Sequence, residues 1–224
     1  MNTEDGTWVD GVRASVPIVI PTAAVGVTFG LLAGPVMGAA AAVVMSAVVW
    51  SGTAQFASLS VLTAGGEPLL AGASGLLANA RFLPMGFAIA PSLSGGPARR
   101  FATGATLADA SFAIAHRGEG RFSINALVGA APLQYFAWLG GTILGVAGAD
   151  AVGDPARWGL DVLFPAFYLS LILPELRGKP RPLIVAGLAS VIALALTPAT
   201  PAGVPVVVAS FAALLGLRSR GNNR

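Results

Sequence analysis

Long apolar runs dominate the sequence, near residues 14–34, 36–64, 68–93, 123–148, 158–176, 182–198 and 203–217, each bounded by charged or Pro/Gly-rich breaks. A helix needs about 20 apolar residues to cross the hydrocarbon core of a bilayer. The pattern therefore predicts an all-α polytopic membrane protein of about seven transmembrane helices, the last two short, forming a single transmembrane domain over residues 1–224. Composition agrees. Only 10% of residues are charged and the mean hydropathy is +0.77, whereas a soluble chain carries about 25% charge. The 29 glycines and 16 prolines would suggest disorder in a polar chain, but here they lie within runs of Ala, Val and Leu, as packed membrane helices allow.

The stretch 99–121 stands apart. Its apolar part, 101–115, is short, contains Asp109, and lies between Arg99, Arg100, Arg117 and Arg121, which predicts a cytoplasmic or re-entrant linker helix. With three spans before it, Arg99, Arg100, Arg117, Arg121, Arg177, Lys179, Arg181, Arg218, Arg220 and Arg224 fall on one face, and Glu4, Asp5, Asp10, Glu67, Asp150 and Asp154 on the other. Basic loops stay cytoplasmic. The expectation is a multi-pass protein of the cytoplasmic (inner) membrane, N-terminus outside and C-terminus inside. The acidic start lacks the basic residues of a cleavable signal, so the first run is expected to be retained.

A short internal match sets Ala54, Phe56, Ser58 and Leu59 over Ala166, Tyr168, Ser170 and Leu171. Three spans per half around a basic loop would place the halves 14–93 and 123–198 in opposite orientation, a 3+3 inverted repeat with 203–217 as an extra C-terminal span. Many secondary transporters follow that plan, with broken helices near the midplane holding the substrate.

Several residues interrupt the apolar runs. Trp50-Ser51-Gly52-Thr53-Ala54-Gln55-Phe56 lies mid-run, and Gly52 weakens the helix there. If the backbone unwinds, its freed polar groups need a water-filled cavity or a ligand; the other reading is close helix packing on small residues. Arg81, in Leu77-Ala78-Asn79-Ala80-Arg81-Phe82-Leu83-Pro84, lies about a dozen residues from either end of its run. A central charge costs at least about 2.5–3.5 kcal/mol, so it must meet a partner or a cavity. Arg81 can dock an anionic group such as a carboxylate, assisted by Asn79, or form a structural ion pair with Asp109. Pro84 frees a carbonyl one turn back and predicts a kink. Phe29-Gly30 closes a first run broken by Pro17 and Pro21, so a bent or discontinuous helix is expected, Gly30 serving the site or a packing face. Gln134 and Tyr168 read as structural, His116 as a solvated loop residue, and Trp158 as an interfacial anchor.

Phe29-Gly30, Ser51-Gly52-Thr53-Ala54-Gln55-Phe56, Asn79-Ala80-Arg81-Phe82 and Leu107-Ala108-Asp109-Ala110-Ser111-Phe112-Ala113 resemble, in order and spacing, the AzlC-like branched-chain amino acid permease family. Gly159-Leu160-Asp161-Val162-Leu163-Phe164-Pro165-Ala166 looks like that family's fifth-span entry. The resemblance implies the large subunit of a two-component exporter of branched-chain amino acids, with methionine as a further substrate and a small AzlD-like membrane partner. The interruptions read above give the expected substrate site, Gly30, Ser51, Gly52, Thr53, Gln55, Asn79 and Arg81, with Asp109 as a coupling or structural partner. Two departures matter. Phe82 stands where the family often has His, and Ala108 and Ala110 replace its usual Thr and Glu, so a proton-handling role is not carried over to those positions.

Other functions fit less well. No G-x-x-x-x-G-K-[ST] loop occurs, which disfavours ATP-driven transport by this chain, and no cofactor is implied. A membrane-embedded enzyme needs clustered acid/base groups; the chain has one histidine, in a loop, and no cysteine. Short basic clusters between apolar runs point to loop orientation rather than to nucleic acid. A non-transporting scaffold subunit has no use for proline-broken spans and a central Arg, although a carrier of another small anionic or zwitterionic solute fits them equally well.

Overall fold

A computed structural model describes residues 6–118, 120–153, 180–200 and 204–212, with a few isolated positions between 153 and 180. The run 158–176, with Tyr168, Trp158 and the fifth-span resemblance, lies outside the described residues, as does the C-terminal segment from 213. The described elements are α1 (Trp8–Met37), α2 (Ala39–Val48), α3 (Gly52–Thr63), α4 (Pro68–Asn79), α5 (Phe82–Ile89), α6 (Pro97–Gly104), α7 (Asp109–Ala115), α8 (Ile124–Val152), α9 (Pro180–Leu196) and α10 (Val204–Ser210). Two of them, Trp8–Met37 and the Ile124–Ala149 stretch of α8, are long and apolar enough to cross a membrane. Contacts divide the chain into two units, residues 1–52 with 79–153, and residues 53–78 with 154–224.

In the first unit α1 and α8 lie side by side with their backbones in contact. Gly11, Gly26 and Gly30 of α1 meet the carbonyls of Ala126, Trp138 and Thr142. Reciprocally, Gly129, Gly141 and Gly145 of α8 meet those of Trp8, Ala23 and Val27. A Cβ at any of these positions would collide with main chain. Small residues give membrane helices this close approach, because lipid supplies no hydrophobic drive for association. Polar side chains add cross-links. Gln134 donates to Ser15 Oγ (3.0 Å), whose hydroxyl donates to the Ala130 carbonyl (3.1 Å). Thr142 Oγ1 donates to Trp138 O (3.1 Å) and therefore accepts from Ser46 of α2 (2.9 Å). Outside this contact Ile20, Val48 and Phe87 are more than three-quarters exposed, as suits surfaces facing lipid rather than water.

α1 starts earlier than the apolar run suggests, because Thr7 caps it. The Thr7 hydroxyl accepts from Asp10 N–H while the Asp10 carboxylate accepts from Thr7 N–H, a capping box. Pro17 and Pro21 do not interrupt it: the helix is continuous over 30 residues. Each proline removes one backbone bond, and the long seam with α8 holds the rest in line.

The paired residues also fix direction. Gly11 meets Ala126, Ser15 meets Ala130 and Gly30 meets Thr142, so α1 and α8 run parallel. At their common end Ser123, the cap of α8, donates to the Gly6 carbonyl (3.3 Å). The parallel pair differs from the expected arrangement in two ways. Inverted halves need their first helices antiparallel, and an N-terminus opposite the Arg117–Arg121 loop needs two crossings between α1 and α8. Parallel spans need an odd number. Runs 36–64 and 68–93 are long enough for one crossing each, but each is a pair of helices of 8 to 12 residues. At 1.5 Å per residue, none alone reaches across about 30 Å of hydrocarbon. The expected outcome is that single cysteines at Asn2→Cys and Arg121→Cys, in an otherwise cysteine-free chain, react with an impermeant thiol reagent from the same side of sealed vesicles. Labelling from opposite sides would contradict the parallel pair.

In the second unit α3 and α4 form an antiparallel hairpin. Gly65, at φ 79°, ends α3 in the left-handed conformation that glycine adopts without penalty, and Gly66 N–H returns to Val61 O (2.8 Å). Ser58 donates across to Ala71 O (2.9 Å), and Gly75 sits against Ser58 and Ala54.

Candidate functional site

Each broken run places polar groups where its helix stops. The first break falls at Val49–Ser51, just before Gly52. In a continuous helix Ser51 N–H would bond Ala47 O; here it bonds Val49 O (2.8 Å). The orphaned Ala47 carbonyl accepts instead from the Tyr135 hydroxyl of α8 (2.9 Å), and the Tyr135 ring meets Trp50 edge-on at 5.9 Å. Tyr135 thus holds the break open, a role its sequence position gave no sign of. Gly52 is a packing residue: its Cα lies against the Trp138 indole, where a Cβ would come within 2.6 Å. Ser51 is buried and closes the first unit, whereas Thr53 and Gln55, also buried, open the helix of the second. Gly30, buried on Thr142 O, belongs to the α1–α8 seam.

The second break carries charge. α4 ends at Asn79 and α5 begins at Phe82. Pro84 has no N–H for the Ala80 carbonyl, which Leu83 N–H takes at 3.1 Å, so the chain turns where Arg81 sits. The guanidinium reaches Asp109, Nη2 to Oδ2, at 2.7 Å, and its Cζ lies 5.2 Å from the Phe82 ring centroid. A cation over an aromatic face gains about 0.5–1 kcal/mol at an exposed site, so Phe82 steadies the guanidinium.

Asp109 is fixed from its own side. α6 and α7 have 8 and 7 residues, neither long enough to span. Asp109 is the first residue of α7, where the helix dipole favours a carboxylate. Buried Ser111 anchors that turn by accepting from Ala108 N–H (2.8 Å) and donating to Thr106 O (2.8 Å). Phe112 and His116 both pack on Phe122, and Ala115 joins Ile89 and Leu127 in a small core, tying α7 to the end of α5 and the start of α8.

The ion pair is open. The side chains of Arg81 and Asp109 are 34% and 57% exposed, and exposed pairs contribute only about 0–1 kcal/mol. Both side chains are thus within reach of an approaching polar group. Two residues before Arg81 in the sequence, the buried Asn79 Oδ1 has no hydrogen-bond partner among the described residues, and an unmet buried acceptor costs about 1–3 kcal/mol. A guanidinium and a carboxylate at one helix break can receive a small molecule bearing both charges. Among the described residues no group of three or more His, Cys, Asp or Glu could hold a metal.

A family model described as AzlC protein matches residues 17–152, more than half of the chain. The matched stretch includes both breaks and Asp109. The inner membrane protein YgaZ of Escherichia coli (strain K12) is 27% identical over 201 residues, covering 84% of this chain and 80% of that protein. No solved structure matches the chain. Long apolar helices and similarity to an inner membrane protein together make this an α-helical membrane protein.

Proposed function

The chain belongs to the AzlC family, and from that premise we propose that it is the large subunit of a secondary transporter exporting branched-chain amino acids, with a small AzlD-like membrane partner. The observation that carries this reading is the accessible Arg81–Asp109 pair at a helix break. Arg81 docks the substrate carboxylate: a guanidinium offers two parallel N–H donors to two oxygens, a geometry Lys lacks. The break at Val49–Ser51, held by Tyr135, supplies unwound backbone of the kind that lines substrate paths in carriers. Export direction and partner come from the family resemblance. The uncovered glycines at 72, 86, 140 and 148 suit a helical partner. The N-terminus and the Arg117–Arg121 turn face the cytoplasm by the positive-inside rule.

Vesicles loaded with labelled leucine test the reading. Release from vesicles containing the chain and its co-expressed small partner should exceed release from empty vesicles, and unlabelled isoleucine or valine should compete. Release no faster than from empty vesicles, for every branched-chain amino acid tried, would reject it. Equal release by the chain alone would reject only the obligate partner.

A further inference from the structure

We propose that α6 lies in the headgroup layer of the bilayer at the level where α8 starts, with Phe101 among the acyl chains and Arg99 and Arg100 on the phosphates of anionic phospholipids. The inference uses the membrane reading of the chain and is independent of the substrate.

The sequence of α6 separates two faces. At about 3.6 residues per turn, Pro97, Ala98, Phe101, Ala102 and Ala105 share one side, and Arg99, Arg100 and Thr103 share the other. Every residue from Pro97 to Ala102 is exposed, and Phe101 is 80% exposed. A bare aromatic face opposite a basic one is unfavourable in water and is the pattern of a helix lying in a membrane interface.

Depth is the second observation. Ile124 begins the stretch of α8 that is long and apolar enough to cross a bilayer. Leu127, about 4.5 Å further in, packs with Ile89 at the end of α5 and Ala115 at the end of α7. Arg100 Nη2 donates to the carbonyl of Ala90, the residue after α5 (3.3 Å). The Arg100 guanidinium is therefore held near the level of the first turn of α8, where hydrocarbon gives way to headgroups.

Charge selects the lipid. Residues 97–123 carry four arginines against two acids, and one of those acids, Asp109, is paired with Arg81. A guanidinium meets a phosphate through two parallel N–H bonds while its stem lies on apolar surface. Each basic residue near the surface favours an anionic leaflet by about fivefold.

The test places a thiol-linked NBD dye on either face of α6 in the cysteine-free chain, at Ala102→Cys or Thr103→Cys. The full chain is reconstituted alone in nanodiscs of equal parts phosphatidylcholine and phosphatidylglycerol. A nitroxide near the top of the acyl chain should quench the dye at 102, and aqueous iodide should quench mainly the dye at 103. Nitroxide-labelled phosphatidylglycerol should associate about 5- to 25-fold better than phosphatidylcholine carrying the same label. Arg99→Gln/Arg100→Gln should remove that preference, and Arg99→Lys/Arg100→Lys should retain most of it. If the Gln pair does not fold, high salt should cut the preference of the unaltered arginines instead. Iodide quenching at 102 as strong as at 103 puts the apolar face in water and overturns the inference. Protection of 102 from both quenchers means that protein covers Phe101, which also overturns it. Equal association of the two lipids, or a preference unchanged by the folded Gln pair, overturns it as well.

Discussion

Gly145→Ala is expected to destabilise the protein by about 1–3 kcal/mol, the usual cost of forcing extra atoms into a packed interior, while Gly148→Ala on the same helix is expected to be neutral or slightly stabilising. A Cβ at position 145 falls on the Val27 carbonyl and close to Leu31 N, both main-chain atoms of α1, whereas a Cβ at 148 meets nothing within 4 Å. Main chain cannot rotate out of the way as a side chain can, so α1 and α8 must separate and every contact along the seam is strained. The Ser15–Gln134 and Ser46–Thr142 bonds lengthen with it. At position 148 only the helix-propensity difference remains, about 0.5–1 kcal/mol in favour of Ala. Thermal melting of the two purified variants separates these outcomes. Equal melting temperatures would mean that the two helices do not meet along these glycines.

Arg81→Lys is expected to insert and melt within about 1 kcal/mol of the wild type, as for the loss of a half-exposed ion pair, yet to lose about 10- to 100-fold in transport efficiency. Lys keeps the charge but offers a point donor where the substrate carboxylate needs a planar fork, and it forfeits the stacking on Phe82. Arg81→Gln, which removes the charge, should transport less still. Uptake and melting measured on the same preparations distinguish a site residue from a structural one. A structural Arg81 would move melting and transport together, and the Arg81→Gln/Asp109→Asn double variant would then recover both. Near-normal transport by well-folded Arg81→Gln would shift the candidate site to Thr53 and Gln55.

The local interruptions and the pairing of Arg81 with Asp109 were legible in the sequence; the groups that hold the breaks in place were not. Arg81 and Asp109 stand out because charge within an apolar run demands an explanation, and they face each other across 28 positions. Pro84 marked its break because a missing N–H is a property of the residue itself. Gly52 misled by two residues: the chain unwinds before it, and its small size serves Trp138, far along the sequence on α8. Tyr135 and Ser111, which fix the two breaks, carry no sequence signal, since a hydroxyl in an apolar run more often bonds its own helix. Orientation is hard to read for a related reason. Counting runs as crossings assumes that each forms one helix, and the runs that broke are the ones whose count decided the direction of α8.

The measurement that bears most directly on the account is substrate protection at the break beside Arg81. Ala80 is exposed between α4 and α5, so Ala80→Cys gives the chain a single thiol one residue from the proposed carboxylate dock, and Val16→Cys, exposed on the side of α1, gives a control. Saturating leucine should slow maleimide labelling of Ala80→Cys and leave Val16→Cys unchanged, and adding Arg81→Gln should abolish the protection. Labelling of Ala80→Cys at the same rate with and without leucine, in vesicles that transport leucine, would contradict docking at Arg81.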